Sequence, residues 1–328
     1  MMPPLNNGIL HIGRDKTGTT AIQNFLAQNP EWLAKHGYFV PTPGTRNNAH
    51  HLLAESLTRR NLGWLKLFSK SHIINDMKLE IDKTDLCPII TSEAFQGCDA
   101  FLIKRIFPIN FQNVIVYIRN QIDYLQSAYS QKIHATHYSE KIDTYYKNVF
   151  RVRYFKFLKK WENQFSPSLT VRIFDKSEFF EDDLIKDFVK HGLQIEDPIS
   201  PIPNFKADPN PSLNGAVTEF KLYLNKSGKI NNYNPNVLYR VLPKLNQQFS
   251  SPKVYVPENL TNHIINKCKK SEDKVAHRYF NRSELFDYKT RSDSNQDHEI
   301  NIDTESMTEA LKILIEEDLL NRKNRKPS

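Results

Sequence analysis

A stretch near the N-terminus combines small, hydroxyl and basic residues in an order that suits the binding of an anion. Apolar residues from Ile9 to Ile12 predict a buried strand, and Gly13 and Gly18 allow the backbone to bend after it. A helical pattern of apolar residues begins directly after the second glycine. A strand that enters a helix through such a turn directs backbone N–H groups and the positive end of the helix dipole at one point. The stretch therefore predicts a binding site for a phosphate or sulfate group.

The side chains of this loop add to the prediction. Lys16 supplies a positive charge, and the hydroxyl groups of Thr17, Thr19 and Thr20 can donate hydrogen bonds to phosphate or sulfate oxygens. ATP-binding loops end in Gly-Lys-Ser/Thr, whereas here the lysine comes first, in Lys-Thr-Gly-Thr-Thr. An ordinary tight connection between a strand and a helix is the alternative interpretation of the same residues.

Three further side chains could act as a general base. The apolar run Cys87 to Thr91 predicts a strand that places Glu93 at its carboxyl end, where open parallel sheets bind ligands. A partly desolvated carboxylate there could accept a proton, although Glu93 could equally be a helix-start residue. His50 and His51 adjoin a predicted helix, and neutral imidazole can also accept a proton. The alternative for the histidines is one packed or capping ring and one solvated ring.

A second candidate for anion binding follows the most apolar run of the chain. Asn113 to Arg119 predicts a strand buried on both faces, with Arg119 at its carboxyl end. Arginine can bind a phosphate through two parallel hydrogen bonds, and Ser127 in the following helix can donate one more. A surface arginine and a solvated serine are the alternative.

The order of predicted elements indicates an α/β protein: a three-layer sandwich with a central parallel sheet, helices on both sides and a helical C-terminal portion. Further strands are predicted at 38–40 and 169–174. Helical periodicity predicts helices at 20–35, 65–81, 154–165, 178–192, 214–225, 259–280 and 307–319.

Composition bounds the class of protein. The 328 residues are 39% hydrophobic and 25% charged, as in a soluble globular protein, and the net charge of +8 favours anionic ligands. Basic residues are mostly scattered, which disfavours nucleic acid as the partner. Three distant cysteines predict neither a disulfide framework nor a zinc site. Neither a signal peptide nor a transmembrane segment is recognisable, so we expect a cytoplasmic protein.

We expect one domain over 1–328. Its predicted parts are an α/β core that carries the predicted phosphate or sulfate site (1–195), a Pro-rich loop and helical portion that completes the site (196–290), and a polar loop with a C-terminal helix (291–328). A linker between two domains is the alternative for the prolines near residue 200. The last helix could pack on the body of the protein or on a second copy of the chain.

Two separated motifs carry a resemblance to a known family. Lys-Thr-Gly-Thr-Thr at 16–20 and the strand, arginine, serine and aromatic of 117–129 resemble sulfotransferases that use 3′-phosphoadenosine 5′-phosphosulfate (PAPS). The likeness is to the bacterial glycan and heparan N-sulfotransferase-like branch. The resemblance implies a P-loop-type fold and no metal. It also implies transfer of the sulfuryl group from PAPS to a hydroxyl, less often an amine, of a sugar or glycoconjugate, which leaves 3′-phosphoadenosine 5′-phosphate (PAP).

The resemblance also implies roles for individual residues. Lys16 would lie near the bridging oxygen of the phosphosulfate, and Glu93 ranks above His51 and His50 as the base. Asp15 departs from the family pattern, because an anion beside the loop repels phosphate unless it points away or pairs with Arg14. The implied nucleotide-binding residues are Arg14, Lys16, Thr17, Gly18, Thr19 and Thr20 for the 5′ end, Arg119 and Ser127 for the 3′-phosphate, and Ser212 in Asn-Pro-Ser-Leu at 210–213.

Other functions fit part of the same pattern. A nucleotide-dependent kinase would use a similar loop with magnesium and ATP. A non-catalytic nucleotide- or glycan-binding protein would bind without turnover. A nucleic-acid-binding protein would use the basic surface and would lose affinity steeply with salt.

Overall fold

A computed structural model describes residues 6–57, 71–107, 109–150, 152–205, 212–249, 251–288 and 304–323. The chain divides into two compact units. The first unit comprises Met1–Arg119 and Tyr154–Asp208, and the second comprises Asn120–Arg153 and Pro209–Ser328. Each unit is described by itself below. Residues 120–153, which the sequence assigned to the nucleotide-binding core, pack in the second unit.

The first unit is built on a five-stranded sheet whose strand pairs are all parallel. The predicted α/β class with a central parallel sheet is therefore confirmed, and all five predicted strands are present. In chain order the strands are β1 (Asn6–Ile12), β2 (Tyr38–Phe39), β3 (Cys87–Ser92), β4 (Ile109–Ile118) and β5 (Leu169–Ile173).

The strand order places β1 at the centre of this sheet. The order is β2-β3-β1-β4-β5, so the chain passes to one side of β1 for β2 and β3 and then crosses to the other side for β4 and β5. Such a reversal opens a crevice at the carboxyl ends of the strands on either side of it. The segments that follow β3, β1 and β4 therefore leave the same edge of the sheet side by side.

The central strands are buried because they carry apolar residues on both faces. Ile9 and Leu10 point to opposite faces of β1, and both are fully buried, so both faces of the sheet are covered. In β4 the residues from Val114 to Ile118 are likewise buried. A cluster that includes Ile9, Phe25 and Phe188 packs against one face. This packing fixes the strand ends that carry the candidate site.

The helices of the first unit differ from the prediction in two places. The single helix expected over 20–35 is two helices, because Pro30 cannot donate the backbone hydrogen bond that would join them. The helix expected over 178–192 is present only over 184–192, where a four-residue α-helix continues into a π-helical turn, and short 3₁₀ turns precede it. The helices are α1 (Thr19–Gln28), α2 (Pro30–Lys35), α3 (His51–Ser56), α4 (Ser71–Ile81), α5 (Ala100–Ile106), α8 (Tyr154–Phe165) and α9 (Leu184–Asp187), numbered in chain order with those of the second unit.

The second unit is helical over its described residues. The predicted helices near 214–225 and 259–280 are confirmed, whereas Pro235–Gln248 is a helix that the sequence analysis did not predict. The last helix packs through Ala310 and Leu314 on a cluster that contains Leu242, which is the first of the two alternatives expected for it. The helices are α6 (Gln121–Ala135), α7 (Ile142–Asn148), α10 (Gly215–Lys226), α11 (Pro235–Gln248), α12 (Glu258–Val275) and α13 (Thr304–Lys323).

Three predicted segments lie wholly or partly outside the described residues: the start of the 65–81 helix, Asn210-Pro211 of the Asn-Pro-Ser-Leu motif, and most of the polar loop after residue 290. Among the helices that the structure describes, none combines the length and apolar character needed to cross a membrane.

Candidate functional site

The loop after β1 closes on itself through Thr17. The backbone N–H and the hydroxyl of Thr17 both donate to the carbonyl oxygen of Arg14, over 3.3 and 2.8 Å. Lys16 and Gly18 adopt left-handed backbone angles, with φ of 64° and 72°. The hydroxyl of Thr17 thus shapes the loop here, rather than pointing outward as a donor to an anion.

Helix α1 begins at this loop with the features of an anion site. Its N-cap residue is Gly18, which offers no side chain to the first N–H groups, and its first turn contains no acidic residue. The first four N–H groups of a helix have no partner within the helix. Thr19 is buried and Thr20 is exposed at this end. The residues present therefore fit a phosphate or sulfate group at the start of α1.

Two basic side chains meet at the loop. The Arg119 guanidinium, at the end of β4, donates to the carbonyl oxygen of Lys16 over 2.9 Å and lies 5.2 Å from the centre of the Phe174 ring. Burial lowers the pKa of the Lys16 ammonium, Asp15 raises it, and the Arg119 charge lowers it. The sequence predicted Arg119 and Lys16 at different phosphates of one nucleotide, and the structure places both side chains beside the same loop.

Arg14 and Asp15 turn away from each other in their packing. The Arg14 guanidinium lies over the rings of Tyr154 and Phe157 in α8, 5.1 and 4.7 Å from their centres, and the residue is buried. The exposed Asp15 carboxylate accepts a hydrogen bond from Gln96 over 2.9 Å. The geometry gives no support to Arg14 as a nucleotide ligand, and Gln96 holds the Asp15 charge at the side of the loop.

The loop is packed tightly against the segment that follows β3. The Gly13 N–H donates to the carbonyl oxygen of Ser92 over 3.1 Å. A Cβ atom on Gly13 would lie 2.7 Å from the Cα atom and 2.8 Å from the backbone nitrogen of Glu93. Glycine is required there because backbone atoms cannot yield as a flexible side chain can. The close approach brings the candidate base Glu93 to the anion loop.

The carboxylate of Glu93 lies between two polar side chains. Its Oε2 atom accepts a hydrogen bond of 2.9 Å from the Nε2 atom of Gln23 in α1, and its Oε1 atom is 3.6 Å from the Nε2 atom of His51. The side chain of Glu93 is 30% exposed and that of His51 is 14% exposed, so both are reachable from solvent. The structure thus brings together Glu93 and His51, two of the three residues predicted as alternatives for the base.

Ser92 orients the His51 ring. The Ser92 hydroxyl accepts from the Ala94 N–H over 3.1 Å and lies 2.9 Å from the His51 Nδ1 atom. The arrangement that uses every polar hydrogen has the hydroxyl donating to Nδ1, which leaves the imidazole proton on Nε2. In this tautomer the His51 Nε2–H faces the Glu93 carboxylate across 3.6 Å, beyond hydrogen-bond distance.

His50 has a structural role. Its Nδ1 atom accepts from the Thr91 N–H over 3.2 Å, its Nε2 atom donates to the Pro41 carbonyl over 2.9 Å, and its own N–H donates to the Thr91 carbonyl. The ring is fully buried, which lowers its pKa to about 4. Because both ring nitrogens bind backbone groups, His50 cannot accept a proton from a substrate in this arrangement. It ties the start of α3 to β3 and so places His51 beside Ser92.

The two predicted serines belong to the second unit. Ser127 lies half-buried in α6, and Ser212 is exposed, with its carbonyl oxygen accepting from the Asn246 side chain over 2.9 Å. Asn214, rather than Ser212, caps the following helix α10. A joint site of these serines with the loop of the first unit stays a prediction.

Gln23 is the residue of this site that the sequence analysis missed. It is buried in α1 beside Ile22, Phe25 and Leu26. A polar residue in a run of apolar helix positions was the available signal, because a buried amide needs a partner. Within the ranges that the structure describes, no group of three His, Cys, Asp or Glu side chains is arranged to hold a metal ion.

No family model matches the chain, and searches of curated proteins and of solved structures found no significant match.

Proposed function

We propose that this protein is a sulfotransferase that moves the sulfuryl group of PAPS to a hydroxyl group of a sugar or glycoconjugate and releases PAP. The single observation that carries the proposal is the convergence of three charged groups at one edge of the sheet. Glu93 follows β3, Lys16 follows β1 and Arg119 follows β4, and these three strands are neighbours. A P-loop-type sulfotransferase fold belongs to the same proposal.

The basic groups suit a phosphosulfate donor. When the bond between sulfur and the bridging phosphate oxygen breaks, negative charge develops on that oxygen. Lys16 and the first N–H groups of α1 are placed to stabilise this charge in a partly buried loop, where electrostatic interactions are stronger than in water. Arg119 adds donors that can bind a second phosphate group.

The carboxylate suits the acceptor. A hydroxyl that attacks sulfur loses its proton as the new bond between sulfur and oxygen forms, and Glu93 accepts that proton. Gln23 donates a hydrogen bond to one carboxylate oxygen and the His51 Nε2 atom lies 3.6 Å from the other, so the group needs little reorganisation when the reaction begins. Because Glu93 lies against Gly13, an acceptor hydroxyl within its reach would also adjoin the loop that binds the donor.

The experiment that tests the proposal measures sulfate transfer from labelled PAPS to a panel of oligosaccharides, with the release of PAP followed in parallel. We expect transfer in wild type, including in the presence of EDTA. Lys16→Met should lower kcat by about 10²- to 10³-fold, since it removes one charge that stabilises the leaving group. Lys35→Met is the matched control, because Lys35 is exposed at the end of α2, and it should change kcat less than twofold.

Other outcomes would replace the proposal. Magnesium-dependent phosphate transfer from ATP to the same panel would indicate a kinase. Binding of PAP without turnover of any acceptor, hydroxyl or amine, would indicate a non-catalytic nucleotide-binding protein.

A further inference from the structure

We infer that Gln23 is a positioning residue that fixes the proposed base Glu93 relative to the anion loop, an inference that rests on the proposed function. The two residues are distant in sequence, and they meet because β1, which leads into α1, pairs with β3, which leads into Glu93. The Gln23 Nε2 atom donates to the Glu93 Oε2 atom over 2.9 Å. Gln23 is 4% exposed, so the donor end of the bond is buried.

One helix carries both parts of the site. The N-terminal N–H groups of α1 begin at Thr19, and Gln23 lies one turn later, about 6 Å along the same axis. A helix is rigid over one turn, so the distance between the anion site and the carboxylate is set by α1 and by one hydrogen bond. Sites built on such elements hold their geometry better than sites built on loops.

The hydrogen bond also fixes the orientation of the Glu93 carboxylate. Gln23 donates to Oε2 and the His51 Nε2 atom faces Oε1, so the plane of the carboxylate is set from two sides. Without Gln23 the Glu93 side chain would be free to rotate about its terminal bond, which is a soft torsion. The carboxylate would then meet the acceptor hydroxyl in a smaller fraction of encounters, while binding of the donor at the loop would be unaffected.

The test is a double-mutant cycle in the sulfate transfer assay with Gln23→Leu, Glu93→Gln and the double variant. We expect Gln23→Leu to lower kcat about 10- to 100-fold with KM for PAPS unchanged within twofold, as misplacing a reacting group does. In the Glu93→Gln background, Gln23→Leu should have almost no further effect on kcat.

The control is Gln28→Leu, at the exposed end of the same helix, which should change kcat less than twofold. Losses of kcat that multiply in the double variant would overturn the positioning role and leave the proposed function standing. The absence of sulfate transfer by wild type to any acceptor would overturn both. Urea unfolding of wild type, the two single variants of the cycle and the double variant tests the same contact without measuring activity. The structure predicts that Gln23 and Glu93 are energetically coupled, so additive changes in unfolding free energy would contradict the inference.

Discussion

At the scale of single residues, Asp15 is the group most at odds with an anion site. It is exposed beside Lys16, and Gln96 holds its carboxylate without removing its charge. We predict that Asp15→Asn lowers KM for PAPS about two- to fivefold at low salt, because exposed charges interact by less than about 1 kcal/mol. The gain should fade at high salt as screening increases.

The control for this prediction is Asp85→Asn. Asp85 is exposed just before β3, at the opposite edge of the sheet, so this variant makes the same change in net charge away from the loop. An equal fall in KM in both variants would show that net charge, and not the position of Asp15, determines affinity for the donor.

The buried, neutral ring of His50 should make the first unit less stable as the pH falls. Its pKa is about 4 in the folded protein and 6.5 when unfolded, so between these values the unfolded chain binds a proton that the folded chain excludes. The contribution of the neutral ring to stability is complete above pH 6.5 and is lost as pH falls towards 4, by up to about 3 kcal/mol. We expect His50→Gln to be less stable than wild type at pH 7.5 and the difference to shrink by pH 5.

The difference between the two proteins is measured by urea unfolding, followed by tryptophan fluorescence, because Trp32 and Trp161 are both buried in the first unit. Comparing variants at each pH cancels the titration of other groups. A difference in unfolding free energy that stays constant from pH 7.5 to 5 would contradict the structural role of a neutral His50.

At the scale of elements, two glycines near the end of β3 give a matched pair. A Cβ atom on Gly13 would meet backbone atoms of Glu93, whereas one on Gly97, in the turn after β3, would meet nothing within 4 Å. We predict that Gly13→Ala destabilises the first unit by about 1 to 3 kcal/mol, as overpacking does, and impairs transfer by displacing Glu93. Gly97→Ala should leave stability unchanged or raise it by less than about 1 kcal/mol. Urea unfolding and the transfer assay measure both effects, and equal stabilities would show that the loop does not approach Glu93 as described.

In the second unit, Lys221 binds the end of a helix, and its buried charge predicts a pH dependence of stability. Its buried ammonium donates to the carbonyl oxygens of Ile133 and Thr136 at the end of α6 and to the side chain of Asn225. Burial lowers the pKa of Lys221 from 10.5 to about 8. Above pH 8 the unfolded chain keeps a proton that the folded chain has lost, so stability should rise with pH, by about 1 kcal/mol per unit.

We expect the unfolding free energy of wild type, minus that of Lys221→Met, to increase between pH 8 and 9.5. Urea unfolding followed by circular dichroism measures this quantity. The range stops below the ordinary pKa of tyrosine, since burial raises the pKa of Tyr129 and its ionisation would act in the opposite direction. Lys226→Met, on the exposed end of the same helix, is the control and should show no widening. A constant difference for Lys221→Met would mean that this ammonium stays charged across the range.

At the scale of the whole molecule, the sequence was sufficient to predict the five strands of the sheet. β4 contains an apolar run, Val114–Ile118, and such a run has few alternatives to a buried parallel strand. β5 was recognisable from its alternation of apolar and polar residues. Helices were harder to predict: the local signal of Pro30 was overridden by the apolar pattern around it, and the helix Pro235–Gln248 depends on packing as much as on local preference.

The site was predictable as a set of residues and not as an arrangement. The loop, Glu93 and His51 were recognisable from their types and their places after strands. Their meeting depends on how β3 pairs with β1 and on the hydrogen bonds of His50 with Thr91, which join distant parts of the chain. Gln23 and the packing of Arg14 on aromatic rings depend on the same tertiary contacts.

The central claim, that the loop and the basic residues beside it bind a phosphorylated adenosine with the charge pattern of PAPS, is tested most directly by thermal unfolding with added PAP. A ligand that binds the folded state raises the apparent stability, by about 2.7 kcal/mol at a concentration of 100 times Kd. We predict that PAP raises the unfolding temperature more than ATP or adenosine 5′-phosphosulfate at equal concentration, and that Lys16→Met loses most of this increase. Stronger stabilisation by ATP with magnesium than by PAP, or no stabilisation by any of the three nucleotides, would contradict the account.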